Sequence, residues 1–290
     1  MLNLIQIKQR INAIKSTQKV VEAMRLISIS AYPKIHQQHF TAINFVESAG
    51  KILNFLLETE NACEFNRLSQ QKHHKCKTLI IVISSGKGLC GAFNSQLELH
   101  AKKRLDLDPE GHYEFLAIGK QAETIISNLD IKIINFKTIT FDNLSIHNIT
   151  KQTNAIKKYI LDDPHIQDVI CLSNVFKTLF LQRPQIRTIL PLKNSSFCGI
   201  NSPTKTTSFQ ELIWEQPAEE ILEQSFSNYL EATIYSLLQE SILCENAARF
   251  ITTDSAAQNA KNKIEILSHQ YNKYRQGSIT REIAELSATM

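Results

Sequence analysis

The segment most suggestive of chemistry is SSGKGLCGAFN, residues 84–94, in which Gly86, Gly88 and Gly91 spell GxGxxG ahead of a predicted helix. In a dinucleotide-binding fold such glycines allow a tight turn and bring backbone amides against a pyrophosphate at a helix N-terminus. That chemistry also needs an acid at the end of the next strand, to hold the ribose hydroxyls. Here the next strand, YEFLAIG, runs into Gly119-Lys120 with no acid in place. A P-loop fails as well, because Lys87 follows a single glycine and is not followed by Ser or Thr. Two readings stand: a dinucleotide-binding oxidoreductase built on the Gly86–Gly91 loop, or a structural turn. The missing acid favours the turn.

Other chemistry-bearing groups are sparser. His73, His74 and Cys76 lie close together in a polar stretch, but their spacing matches no ligand pattern, so a solvated linker is expected. Cys90 sits beside a helix start, where a thiolate would be stabilised; a small buried thiol in a turn is the favoured reading. No serine has the elbow of a hydrolase nucleophile. Lys8, Arg10, Lys15, Lys19 and Arg25 give the first segment a basic side. Aromatic residues do not interleave with them, as stacking on single-stranded nucleic acid requires.

The elements that would position these groups fall into three regions. Residues 1–60 read as one helix. Leu4, Ile7, Ile11 and Ile14 alternate three and four apart, and the stripe is expected to continue through Val21, Met24, Ile27, Ala31, Ile43, Val46 and Leu53. Pro33 lacks an amide hydrogen and should kink or break this helix. Residues 75–193 alternate short apolar runs (78–84, 113–118, 131–136, 168–172, 186–190) with helical segments (94–105, 120–128, 147–161). That order predicts a largely parallel sheet with helices on both faces. Residues 209–290 form a second long helix after Pro217, striped by Leu230, Ile234, Leu237, Cys244, Ala248, Ile251, Ile264, Leu267 and Tyr271.

At about 55 residues each, the terminal helices would be rods of about 80 Å, far longer than the mean helix. A stripe that long must be buried against something equally long, and the counterpart at the other end of the chain fits. The predicted fold is therefore α/β: a long antiparallel two-helix coiled coil from both termini, carrying an inserted α/β domain.

Composition agrees. The 290 residues are 43% hydrophobic and 21% charged, with only 8 Gly and 7 Pro, which suits long helices better than a turn-rich β fold. A net charge of +4 calls for neither nucleic acid nor membrane by itself. No apolar run is long enough to cross a bilayer. The N-terminus, MLNLIQIKQR, has neither a signal-peptide core nor the character of an organellar transit segment, which favours a bacterial source over an organelle that encodes its own subunit. Six scattered cysteines without a CxxC pair read as reduced thiols.

Three motifs, in order, resemble the ATP synthase gamma family. RINAIKSTQKVVEAMRLIS (10–28) is similar to its opening helix and GLCGAFN (88–94) to its loop after the first strand. Glu245, Ala247-Ala248-Arg249, Asn259-Ala260 and YNKYRQGSITREIAEL (271–286) are similar to its C-terminal helix. The chain departs from the family's usual Asp-Arg at Gly86-Lys87, from its apolar residues at Phe250–Thr253, and from its straight first helix at Pro33.

The resemblance implies a central shaft with a Rossmann-like insert and with no catalytic residue, cofactor or metal of its own. Its implied partners are a ring of alpha and beta chains, the epsilon chain and the membrane-embedded c-ring. It implies no nucleic acid, and membrane association only through the complex, on the cytoplasmic face of the bacterial inner membrane. Arg275 and Gln276 match family positions that hydrogen-bond a loop of the beta chain, where a guanidinium fork suits a carboxylate. Met24 matches a position near the same stator region. Alternatively, Arg275 would favour a helix C-terminus through the dipole, and Met24 would be core.

Overall fold

The computed structural model describes residues 2–59, 77–105, 113–129, 135–139, 146–192 and 217–288. The element order is α1 (Leu2–Thr59), β1 (Lys77–Ile83), α2 (Phe93–Leu105), β2 (Tyr113–Ile118), α3 (Lys120–Ser127), β3 (Asn135–Ile139), α4 (Ile146–Asp162), β4 (Ile166–Thr178), β5 (Leu181–Leu190) and α5 (Ala218–Ala288). The fold is mixed α/β. Its residues group into two compact units, one of Met1–Tyr32 with Asn246–Met290, the other of Pro33–Glu245.

In the first unit, α1 keeps its less exposed residues at strict three–four spacing. Leu4, Ile7, Ile11 and Ile14 are followed by Gln18, Val21, Arg25, Ser28 and Tyr32. The expected stripe drifts off this seam. Met24 is 37% and Ile27 67% exposed, whereas Ser28 is buried. Following apolar residues alone loses the register, because the seam also carries polar side chains, among them Gln18, Arg25 and Ser28. Arg25, one of the basic residues of this helix, reaches across to Asp254 of α5 at 3.1 Å. On α5 the matching positions are Thr253, Ala257, Ala260, Ile264, Leu267 and Tyr271.

In the second unit the α1 seam continues in the same phase through Ile35, His39, Ala42, Val46, Ala49, Leu53 and Leu56. Ile43 again lies off it, 37% exposed. Pro33 lies inside α1, which runs through it unbroken. Its fixed φ is helical, so it forfeits one hydrogen bond while the ladder on either side carries the helix past it. The helices are also less alike than expected, 58 residues for α1 and 71 for α5. α5 continues through Gly277 to Ala288.

The sheet has the order β3-β2-β1-β4-β5. Four strands are parallel, and β5 returns antiparallel to β4. β1 reads as a continuous apolar run because both of its faces are covered. Leu79, Ile81 and Ile83 face a core shared with α4 and with Phe226, Leu230 and Leu238 of α5. Ile80 and Val82 face the second core, with Leu97, Phe115 and Ile126. The β4–β5 hairpin is longer than expected. Polar Ser173, Asn174 and Lys177 mask β4, and Pro184 interrupts β5, which tolerates it as an edge strand. The expected strand at 131–136 overlaps the described residues only at its end, where β3 begins.

Candidate functional site

In open α/β sheets, ligands bind beyond the carboxyl ends of the strands where the strand order reverses. Here the chain leaves β1 toward β2 and β3 on one side and reaches β4 on the other, so that point lies between β1 and β4. The crevice is occupied by α5. Cys244 donates its thiol to the Asn174 carbonyl of β4 at 3.4 Å. Glu240 accepts from the Phe176 amide of β4 at 3.1 Å and pairs with Arg187 of β5 at 2.6 Å. Glu245 receives the amides of Gly86 and Lys87 at 3.1 and 3.4 Å.

Glu245 therefore decides the glycine loop. The two amides that would cradle a phosphate already hold a carboxylate from the same chain. The rest of the loop is tied down internally. The Ser85 amide donates to Asn94 Oδ1 at 3.2 Å, and Asn94 Nδ2 donates to Ser85 Oγ at 2.7 Å. Cys90 is buried, with its thiol 3.5 Å from Ser85 Oγ, as expected for a small thiol in a turn. The left-handed positions are Leu89 and Gly91, and Gly88 is not among them. β2 leads through Gly119 to Lys120 with no acid at its end. A dinucleotide has neither its pyrophosphate seat nor its ribose anchor here.

Near Glu240 and Arg187, His39 of α1 is buried, and its Nδ1 has no hydrogen-bond partner among the described residues. Burial holds its pKa below the ordinary histidine value, against an opposing pull from Glu240 and with Arg187 and His36 acting the same way as burial. Burial pushes the Cys171 thiol up to about 12, and raises Cys244 in the same way. Neither thiol is poised as a nucleophile. A separate polar cluster lies at the start of the strands, where Tyr159 donates to buried Glu114 and Lys77 pairs with Asp163 at 3.4 Å. Among the described residues no three His, Cys, Asp or Glu side chains gather as a metal would require. His73, His74 and Cys76 lie outside the described residues.

Met24, Arg275 and Gln276 are all exposed, so Met24 is not a core residue of this chain. Arg275 stands well inside α5, which ends at Ala288, and the helix-terminus reading of it is set aside. The three residues do not form one cluster. Met24 adjoins Arg25, which pairs with Asp254. Arg275 lies some six turns, about 30 Å, further along α5. In the sequence Glu245 is only part of a motif and Glu240 goes unremarked. The available signal was a pair of carboxylates set among Leu237, Leu238, Ile242, Leu243 and Cys244, where a solvated face is impossible.

A family model for ATP synthase matches residues 3–290. The ATP synthase gamma chain of Mycoplasma capricolum is 30% identical over 99% of this chain and 97% of its own length. That of Ruminococcus albus is 29% identical, over 99% and 98%. Among solved structures, a chain of the Euglena gracilis mitochondrial ATP synthase assembly of OSCP, F1 and c-ring superposes with a TM-score of 0.63. It is 13% identical over 99% of this chain and 93% of its own. A chain of the Tetrahymena thermophila mitochondrial ATP synthase central stalk and c-ring gives 0.60 at 18% identity, over 82% and 99%. The seat that a cofactor would need is filled from within, and the likeness runs from end to end; the chain belongs to the ATP synthase gamma-chain family.

Proposed function

We propose that this chain is the central rotor shaft of an ATP synthase, coupling ion-driven rotation of a membrane c-ring to conformational change in a catalytic ring of alpha and beta chains. It is a non-catalytic subunit. The observation that carries this reading is the likeness to gamma chains over the whole length. The physical form suits it. Both long helices keep a seven-residue repeat of low exposure, the pattern that drives helices to supercoil on one another. The Arg25–Asp254 pair falls about equally far from the inner ends of the two segments in its unit, as an antiparallel coiled coil would have it. Residues 1–60 and 209–290 would supply the rod and 75–193 a Rossmann-like insert whose ligand crevice has become the seat of a helix.

The partners on this reading are the alpha and beta chains, the epsilon chain and the c-ring, at the cytoplasmic face of a bacterial inner membrane. No helix among the described residues is long and apolar enough to cross a membrane, so attachment runs through the complex. Met24, Arg275 and Gln276 present exposed side chains to the stator. Co-expression with alpha, beta and epsilon chains tests the proposal. This chain should purify with them, and Arg275→Ala should lower coupled ATPase activity severalfold while the assembly persists. A chain that purifies alone, or an Arg275→Ala complex with full activity, would count against shaft and contact respectively.

A further inference from the structure

A shaft fails if the α/β body can slip around its own helix, and apolar packing alone does little to prevent that. Leu237, Leu238 and Ile242 meet the sheet through contacts without direction, so a small turn of α5 trades one such contact for another. Glu240 and Glu245 behave differently. Glu240 holds Arg187 of β5 at 2.6 Å and the Phe176 amide of β4 at 3.1 Å. Glu245 holds the amides of Gly86 and Lys87 after β1 at 3.1 and 3.4 Å. Five residues apart on a helix, the two side chains leave the axis about 140° apart and about 7.5 Å apart along it. Charge-assisted hydrogen bonds are directional and short. A turn that relaxes one anchor pulls the other away from its partners. Both carboxylates are buried, 5% and 6% exposed. Buried charges are a poor way to gain stability, which points to geometry as their use.

We infer that Glu240 and Glu245 are positioning residues that key α5 to the sheet, so that the α/β body turns with the helix. The inference rests on the shaft reading. Its test uses the assembled enzyme in sealed vesicles, comparing wild type with Glu240→Gln, Glu245→Gln and the double variant. Subunit stoichiometry, ATP hydrolysis and ATP-driven proton uptake are measured together. The double variant should assemble with normal stoichiometry and pump at least threefold fewer protons per ATP hydrolysed, with a smaller deficit in each single variant. Hydrogen exchange at the Gly86 and Lys87 amides should rise at least tenfold in Glu245→Gln. Normal pumping per ATP in assembled variants would overturn the inference. So would loss of assembly in all three, which would make the carboxylates determinants of folding alone. A wild-type complex that hydrolyses ATP without moving protons would sink the shaft reading itself, and the exchange result would still report on the anchor.

Discussion

Gly119 links the end of β2 to the start of α3 at φ 94°, a left-handed conformation open to glycine. A Cβ there would stand 2.6 Å from the Ser84 carbonyl oxygen, a backbone atom that cannot step aside. Ser84 is itself fixed, its amide donating to the Ile118 carbonyl at 2.9 Å. Gly119→Ala therefore carries both torsional strain and a clash, and should lower unfolding stability by about 2–4 kcal/mol. Denaturant melting of the purified variant checks this. An unchanged midpoint would show that the loops after β1 and β2 are not in close contact.

At the scale of elements, α5 owes its continuity to the ladder and its seam, with little help from its residues near the end. Gly277 lies exposed inside the helix, and nothing stands within 4 Å of where its Cβ would be. Gly277→Ala should then stabilise the C-terminal stretch of α5 by about 0.5–1 kcal/mol. Slower hydrogen exchange in residues 272–285 would register it, and faster exchange would mean that the helix is interrupted there. The elements themselves were largely legible. Strand runs such as LIIVI in β1 and the strand–helix alternation gave β1, β2 and α2–α4 nearly to the residue. The β4–β5 hairpin was not: Arg183 and Pro184 break the apolar pattern on edge strand β5, and Asn174 breaks it in β4, where it is buried with its amide donating to the Phe93 carbonyl at 3.4 Å. The heptad register of α1 was also obscured. Arg25, Ser28 and His39 occupy seam positions that no apolar pattern marks, and only the fold shows Asp254 set opposite Arg25. The glycine loop was read correctly as a turn, but what fills it was not legible: no local pattern reveals that an amide pair after β1 is served by a carboxylate about 160 residues away.

For the molecule as a whole, acid is the condition that bears on its buried charges. His39 has its pKa lowered by burial, so the folded state resists the proton that the unfolded state accepts. That contribution is complete above the ordinary histidine value near 6.5 and is lost as pH falls below it. Asp163 is lowered first by the His165 backbone amide and then by Lys77, so its contribution is lost only below the ordinary carboxylate range. Stability should decline in two stages on acidification, and His39→Gln should remove the first. Denaturant midpoints at pH 8, 6, 4 and 2.5 measure it, with midpoints that rise between pH 8 and 6 as the contrary result.

The central claim concerns motion, and motion is its most direct test. With the alpha and beta ring fixed to a surface and a bead attached to this chain through a cysteine introduced at an exposed position, ATP should drive continuous rotation in one direction. A bead that stays still while the same complexes hydrolyse ATP would contradict the account.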